Sequence, residues 1–472
     1  MSFEDCERLV MLESVDEMKK RIGREKVKSP EIQNIFKIIE EFLRQNEVIC
    51  YGGTAINNII PKEDQFYDRE YELPDYDFFS YNAVELTEEL ADIYANAGYK
   101  DVAAQSGIHH GTYKVFVNFI PIADITYIPK ELFNSLKRDA VVRDGIHYAP
   151  PDYLRMSMYL ELSRPRGDTS RWEKVLTRLN LLNKHYPLDD VDCDHAQLQK
   201  IFEPSRAPPN TEEVRTYTII RDYCEEKKAV FFGAFAYRIY HLHSLSKSKY
   251  KVAMNTSHLR MMPDFDVFLV DAVKKAEELK LLLENVGIKV TIKKYGPYID
   301  LLGDHVTLEV DGKPAITIYE PVACHSYHEL VYGSGKKIRV ATIDTILSMY
   351  LLFLYIYKMN KDAMKKLRCM AHYMYELIHT RRSLNKGLFQ RFRLECYGTQ
   401  ETLETLRSKK MDMYKKLYKH KNDDKDSKEY KEYKEWFLKY YPTMTTNGNM
   451  SSTTIASSRP QKRGMRRYTF QI

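Results

Sequence analysis

The chain has 472 residues, 44% of them hydrophobic and 29% charged, enough for several domains with sizeable cores. This composition excludes a collagen-like, a wholly disordered or a disulfide-scaffold protein. A net charge of +6 permits a nucleic-acid partner without requiring one. The seven cysteines form no C-x-x-C pair, and they read as free thiols in a reducing compartment with no zinc site. The charged N-terminus lacks a signal-peptide core, and the most apolar stretch, Ile346–Tyr357, is too short to span a bilayer. The expectation is an intracellular protein without membrane contact.

In chain order, residues 1–28 read as a charged helical arm. Ser29-Pro30-Glu31 opens a helix, with Ser as N-cap and Pro at the first helical position. Ile32, Ile35, Phe36, Ile39 and Phe42–Leu43 continue it at helical spacing. A β-type run, Val48–Tyr51, ends in Gly52-Gly53-Thr54, and a helix over Ala55–Ile59 follows. A charged loop, Lys62–Glu72, precedes Pro74-Asp75-Tyr76-Asp77-Phe78-Phe79. A second β-type run spans Val115–Tyr127 and carries Asp124. His109 and His110 read as structural rather than as ligands.

The chain then repeats itself in order. Ser29–Ala55 falls on Asn210–Ala236 and Pro74–Phe79 on Pro263–Phe268. The helix ending at Gly98 falls on the one ending at Gly287, and Ala123–Pro129 falls on Ala315–Pro321. Two copies of one αβ domain explain this economically. The second copy keeps Gly233, Asp264 and Asp266, but Ala234 replaces Gly53 and Ile316 falls on Asp124.

The expected domains are an arm over 1–28, a first domain over 29–186 and a linker over 187–210. A second domain over 211–335, C-terminal helices over 336–442 and a disordered basic tail over 443–472 complete the chain. Within the C-terminal region, Val340–Tyr357 and Ala363–His379 read as long helices. The interleaved charges of 405–440 read as a solvated helix.

Asp75 and Asp77 stand two apart in a β-type run, so both carboxylates face one way. If the strand with Asp124 is a neighbour, three like charges converge, and Mg²⁺ or Mn²⁺ with substrate phosphates would relieve their repulsion. Glycine before a helix lets backbone approach a phosphate, and the helix start offers free N–H groups. Together these parts describe phosphoryl or nucleotidyl transfer. In Arg171–Tyr186, Arg171, Lys174 and Arg178 share one side of a helix, away from the apolar stripe. That row suits a triphosphate or RNA phosphate, or it is a solvated face.

The ordered set of Gly52-Gly53, Asp75-x-Asp77 and Asp124 resembles the nucleotidyltransferase superfamily, which includes DNA polymerase beta and CCA-adding enzymes. More closely, the chain resembles the viral poly(A) polymerase catalytic subunits of large DNA viruses, of the poxvirus, asfarvirus and mimivirus type. The residues that carry this likeness are Ile49–Gly53, Leu73–Ser80, Ala123–Pro129, Pro151-Asp152-Tyr153-Leu154-Arg155 and Arg171-Trp172-x-Lys174-x3-Arg178-Leu179-Asn180-Leu181. The likeness is good over about residues 30–190. It implies an α/β (α+β) fold of two tandem polymerase-beta-like domains, the second degenerate, with C-terminal helices. It implies AMP transfer from ATP to RNA 3′ ends. Asp75, Asp77 and Asp124 would hold Mg²⁺ or Mn²⁺, and Gly52, Gly53 and Thr54 would face the ATP phosphates. It also implies a homodimer acting in the virion and host cytoplasm. The loop Lys62–Glu72 is longer than that pattern expects. The rivals are a CCA- or uridylyl-adding enzyme, an oligoadenylate-making one, or a non-catalytic RNA-binding subunit.

Overall fold

A computed structural model describes residues 2–188, 211–245, 264–332, 335–359, 361–380 and 385–442. Nearly all of the expected linker and the whole basic tail lie outside the described residues. The arm is helix α1 (Phe3–Val27), closed by a reciprocal Ser2–Asp5 capping box. It buries none of its own residues. Helix α2 (Pro30–Gln45) starts with proline at its first position, and Ile35, Ile39 and Leu43 drive its inner face into the core. Ser29 stands at the N-cap without making the capping hydrogen bond.

The first half forms an eight-stranded sheet. Its strands are β1 (Ile49–Tyr51), β2 (Tyr76–Ser80), β3 (Val102–Ser106), β4 (Thr112–Val117), β5 (Ile120–Tyr127), β6 (Val141–Arg143), β7 (Ile146–Tyr148) and β16 (Lys439–Tyr440). The order across the sheet is β16-β3-β4-β5-β2-β1-β7-β6. The single β-run expected over Val115–Tyr127 is instead an antiparallel hairpin of β4 and β5. It turns at Asn118 and Phe119, whose φ angles are 49° and 64°. Helices α3 (Gly52–Ile59), α4 (Ala83–Asn96), α5 (Lys130–Arg138), α6 (Pro151–Leu162) and α7 (Trp172–His185) belong to this half. Helix α3 begins at Gly52 rather than at Ala55.

The second half repeats the plan with α8 (Thr211–Glu226), β8 (Val230–Phe231), α9 (Ala234–Leu245), β9 (Phe265–Phe268) and α10 (Ala272–Glu284). Strands β10 (Val290–Tyr295), β11 (His305–Val310), β12 (Lys313–Tyr319), β13 (His325–Tyr332), β14 (Lys336–Ala341) and β15 (Cys396–Tyr397) complete its sheet. Their order is β10-β11-β12-β9-β8-β14-β13-β15. Because β14 pairs in parallel with β8 as β7 does with β1, this half runs past the boundary expected at 335. Helices α11 (Ile343–Ile356) and α12 (Lys361–Thr380) follow β14 as α6 and α7 follow β7.

The two halves meet where α6 packs on α11, with Tyr153 edge-on to Tyr355 at 5.6 Å. The Ser326 amide also donates to the Ser163 carbonyl at 2.9 Å. One buried core runs through both halves. The last helices, α13 (Leu403–Leu417) and α14 (Lys428–Phe437), are solvated as expected, with Leu417 the one buried residue of the two, yet they are tied to the first half. Lys410 reaches back to the Gly107 carbonyl at 2.6 Å, Lys434 to Glu88 at 2.7 Å, and β16 extends the first sheet beside β3.

Cys324 and Cys396 form a disulfide where β13 and β15 pair, so the expectation of free thiols throughout fails. Among the described residues, Cys6, Cys50 and Cys224 are free. No described helix is long and apolar enough to cross a membrane.

Candidate active site

Strand β2 alternates over its first three residues, before Phe79 and Ser80 are buried as well. Tyr76 and Phe78 point into the core, so Asp77 and the preceding Asp75 face outward on one side. Strand β5 runs parallel to β2 with Asp124 directly opposite Asp77, between buried Ala123 and Ile125. Tyr51 of β1 flanks Asp77 on the other side. Asp75, Asp77 and Asp124 thus lie at one end of two adjacent strands, with Asp77 and Asp124 in register.

The chain leaves β1 into α3 at Gly52 with φ +73°, and a Cβ there would sit 2.6 Å from the Asp77 carboxylate. Glycine is needed both for that backbone angle and for that approach. Thr54 is buried and donates its hydroxyl to the Asp75 carbonyl at 2.6 Å. It braces the Asp75–Asp77 segment and does not face a phosphate with its side chain. The space above Gly53 is filled too: a Cβ would meet the Tyr67 hydroxyl at 2.5 Å and the Arg178 guanidinium at 2.8 Å.

Burial pushes the Asp77 carboxyl up to about 7, with the charges of Asp75 and Asp124 adding to it and Lys114 and Arg171 opposing. Asp75, at the outer lip, is raised as well, by loss of water and by Asp124. Lys114, the cross-strand partner of Asp124 on β4, forms an ion pair with it. No motif in the sequence singles out Lys114. Once the hairpin is recognised, alternation with buried Tyr113 and Val115 puts it on the carboxylate face. His110 packs tilted against Trp436, ring centroids 4.2 Å apart, and takes no part in the cluster.

The basic row divides. Arg171 lies in a 3-10 turn before α7, exposed, and pairs with Glu161 at 3.2 Å. Lys174 is exposed on the first turn of α7, and its ammonium is lowered by desolvation, then by Arg178 and Arg171. Arg178 is buried and donates to the Tyr67 hydroxyl at 2.6 Å. The three therefore do not form one exposed face.

The donor set of carboxylates, crowded and short of water, is the chemistry a hard divalent cation relieves. Among the described residues no three His, Cys, Asp or Glu groups converge closely enough to hold a metal as the side chains stand. Asp124 is turned instead to Lys114, whose ammonium supplies the local positive charge.

In the second half Asp266 lies opposite Thr317, not Ile316, which pairs with Phe265 and is wholly buried. The expected alignment is one residue out along β12. Thr307 takes the place of Lys114 and shares a 3.1 Å hydroxyl hydrogen bond with Thr317. Gly233 backs Asp266 as Gly52 backs Asp77.

Residues 37–168 match the sequence model of the poly(A) polymerase catalytic subunit. The chain is similar to an Acanthamoeba polyphaga mimivirus protein assigned as such a subunit, 28% identical over 308 residues, covering 61% of this chain and 50% of that one. It is similar to one from African swine fever virus (strain Badajoz 1971 Vero-adapted), 34% identical over 178 residues, 36% of this chain and 37% of that one. The matched region thus spans half or less of these relatives. The crystal structure of the Megavirus polyadenylate synthase has the same fold, with a TM-score of 0.73 at 22% identity over 88% of this chain and 84% of that one.

Proposed function

We propose that the chain is a template-independent polynucleotide adenylyltransferase that extends RNA 3′ ends with AMP from ATP. The observation that carries this reading is the parallel register of β2 and β5, which sets Asp77 against Asp124 beside the start of α3. Asp75 and Asp77 would hold Mg²⁺ or Mn²⁺, and Asp124, now ion-paired with Lys114, would be the third carboxylate. The ions would activate the primer hydroxyl and stabilise charge on the leaving group. The 3′-oxygen attacks the α-phosphorus, the bond from that phosphorus to the bridging oxygen breaks, and pyrophosphate leaves. The hydroxyl proton is lost to solvent. Lys174 and Arg171, on the approach to the carboxylates, attract phosphate. Gly52 and Gly53 place the first amides of α3 beside the same end of the sheet.

The second half, lacking a carboxylate at Thr317, serves RNA holding or assembly rather than chemistry. A homodimer is part of the reading: α1 exposes Met11, Val15, Met18 and Ile22 at helical spacing, a face suited to a second copy. Action in the virion and host cytoplasm rests on the viral relatives.

The experiment incubates the purified chain with an oligo(A) primer, Mg²⁺ or Mn²⁺ and each NTP separately. Extension with ATP and matching pyrophosphate release is expected. Preferential use of CTP or UTP, or no extension by folded protein, would replace the reading with a rival.

A further inference from the structure

Arg178 is a buried cation with no ion-pair partner among the described residues. The residue is 9% exposed, its Nε has no hydrogen-bond partner, and the carboxylate that feels its charge, Glu161, is ion-paired with Arg171 instead. Removing a guanidinium from water without a counter-charge is costly, so such a group points to an anion that arrives from outside. Its position narrows the choice. One terminal nitrogen would lie 2.8 Å from a Cβ on Gly53, so the guanidinium sits over the first turn of the eight-residue helix α3. The unpaired amides there and the helix dipole favour negative charge.

What holds Arg178 there is the loop that the family pattern does not expect at this length. Phe66 lies 4.8 Å from the guanidinium, and the Tyr67 ring 5.4 Å. The Tyr67 hydroxyl accepts from Nη2 at 2.6 Å. The loop is itself fastened. The Asn57 side-chain carbonyl accepts the amides of Phe66 and Tyr67 at 2.9 and 3.0 Å, and Asp64 is gripped by Lys184 and His185 at the far end of α7. It therefore works as a clasp between α3 and α7.

We propose that Tyr67 is a positioning residue: its hydroxyl fixes the Arg178 guanidinium over the start of α3, preforming a subsite for the pyrophosphate end of a nucleoside triphosphate. The inference rests on the adenylyltransferase reading and adds the residue that orients its phosphate-binding arginine. A fixed guanidinium loses less freedom on binding, so the hydroxyl contributes to affinity without touching the ligand.

The test is Tyr67→Phe in the full chain. Phenylalanine keeps both ring contacts with Arg178 and removes only the hydroxyl. Binding of inorganic pyrophosphate and of ATP, each with Mg²⁺ and without RNA, is measured by calorimetry, with KM and kcat for ATP and affinity for oligo(A) alongside. Loss of about five- to tenfold in pyrophosphate and ATP affinity is expected, the scale of one positioned hydrogen bond. The ATP KM should rise by the same factor, with kcat, oligo(A) affinity and melting temperature near wild type. Unchanged pyrophosphate and ATP binding in the folded variant would overturn the proposal. So would a change confined to oligo(A), which would make the subsite one for a primer phosphate. Asp77→Asn separates the two claims. If it keeps full AMP addition, the parent reading falls; if it is inactive while Tyr67→Phe binds pyrophosphate normally, only the role of Tyr67 falls.

Discussion

The two halves of the molecule share one hairpin and differ in what it carries. The β4–β5 and β11–β12 hairpins have a register shift at equivalent places, Val115/Phe116 and Leu308/Glu309, and turn through two consecutive residues of positive φ. In the first hairpin Lys114 faces Asp124, and Asp124 faces Asp77. In the second, Thr307 faces Thr317, and Thr317 faces Asp266. A row of three ionisable side chains in the first half corresponds to a row with one, Asp266, in the second. Scaffold and chemistry are thus separable: the glycine behind the second aspartate and the strand order persist, while the third carboxylate and its lysine do not.

Transplanting one side into the other should break the first half without waking the second. Asp124→Thr should lower AMP addition at least about 10³-fold in a folded protein, because a hydroxyl cannot supply a metal-binding charge. Thr317→Asp should add no detectable activity. Primer-extension rates with circular dichroism check both, and substantial activity in Asp124→Thr would deny the third carboxylate its role.

The next largest effect separates the basic row. Arg178→Met should raise the ATP KM about tenfold or more, since it removes a buried charge-assisted contact. Arg171→Ala should change it only about two- to threefold, because Arg171 is exposed and paired with Glu161. Equal effects in initial-rate measurements would restore the picture of three equivalent side chains.

Stability against pH gives a smaller contrast. Asp77 is held near 7 and Asp266 is raised to about 8, both above the ordinary carboxylate value of 3.8. The folded state therefore binds more protons than the unfolded one within those windows. Stability is present at low pH and lost as pH rises through about 4 to 7 for Asp77 and about 4 to 8 for Asp266. Metal-free protein should melt a few degrees lower at pH 8 than at pH 5. Asp77→Asn and Asp266→Asn should each blunt that fall. Mg²⁺ should recover the Asp77 share alone, and a scan in which Mg²⁺ recovered both would place a cation in each half.

Smallest is the lysine itself. Lys114→Met should destabilise metal-free protein by about 1–2 kcal/mol, a half-exposed ion pair in a like-charged cluster, and Mg²⁺ should restore most of it. Thr307→Val should show no Mg²⁺-dependent difference. Denaturant melts with and without Mg²⁺ decide.

Much of the site was legible because alternation along a strand is rigid: Asp75 and Asp77 had to share a face, and Gly52 had to end β1. The duplication was legible for the same reason, through short motifs in fixed order. What escaped has physical causes. Asn118-Phe119 turns a hairpin without glycine, so β4 and β5 read as one run and Lys114 was not seen facing Asp124. The second copy turns at Asp311-Gly312, an ordinary turn pair, and aligning the two turns would have matched Asp124 to Thr317. The Cys324–Cys396 bridge joins residues 72 apart in sequence, a pairing no local spacing reveals. Lys439 and Tyr440 dock on β3 as a two-residue strand, too short for a periodic signal.

The central claim is that chemistry resides in the first half alone. The most direct test compares two double variants of the full chain, Asp75→Asn with Asp77→Asn and Asp264→Asn with Asp266→Asn. The rate of AMP addition to an oligo(A) primer is followed at saturating ATP and Mg²⁺. The first pair should abolish extension and leave the fold intact. The second should stay within a few-fold of wild type, any deficit falling on stability, assembly or RNA affinity. A fall in kcat as deep in the second pair as in the first, in folded protein, would contradict the account and assign catalysis to both halves.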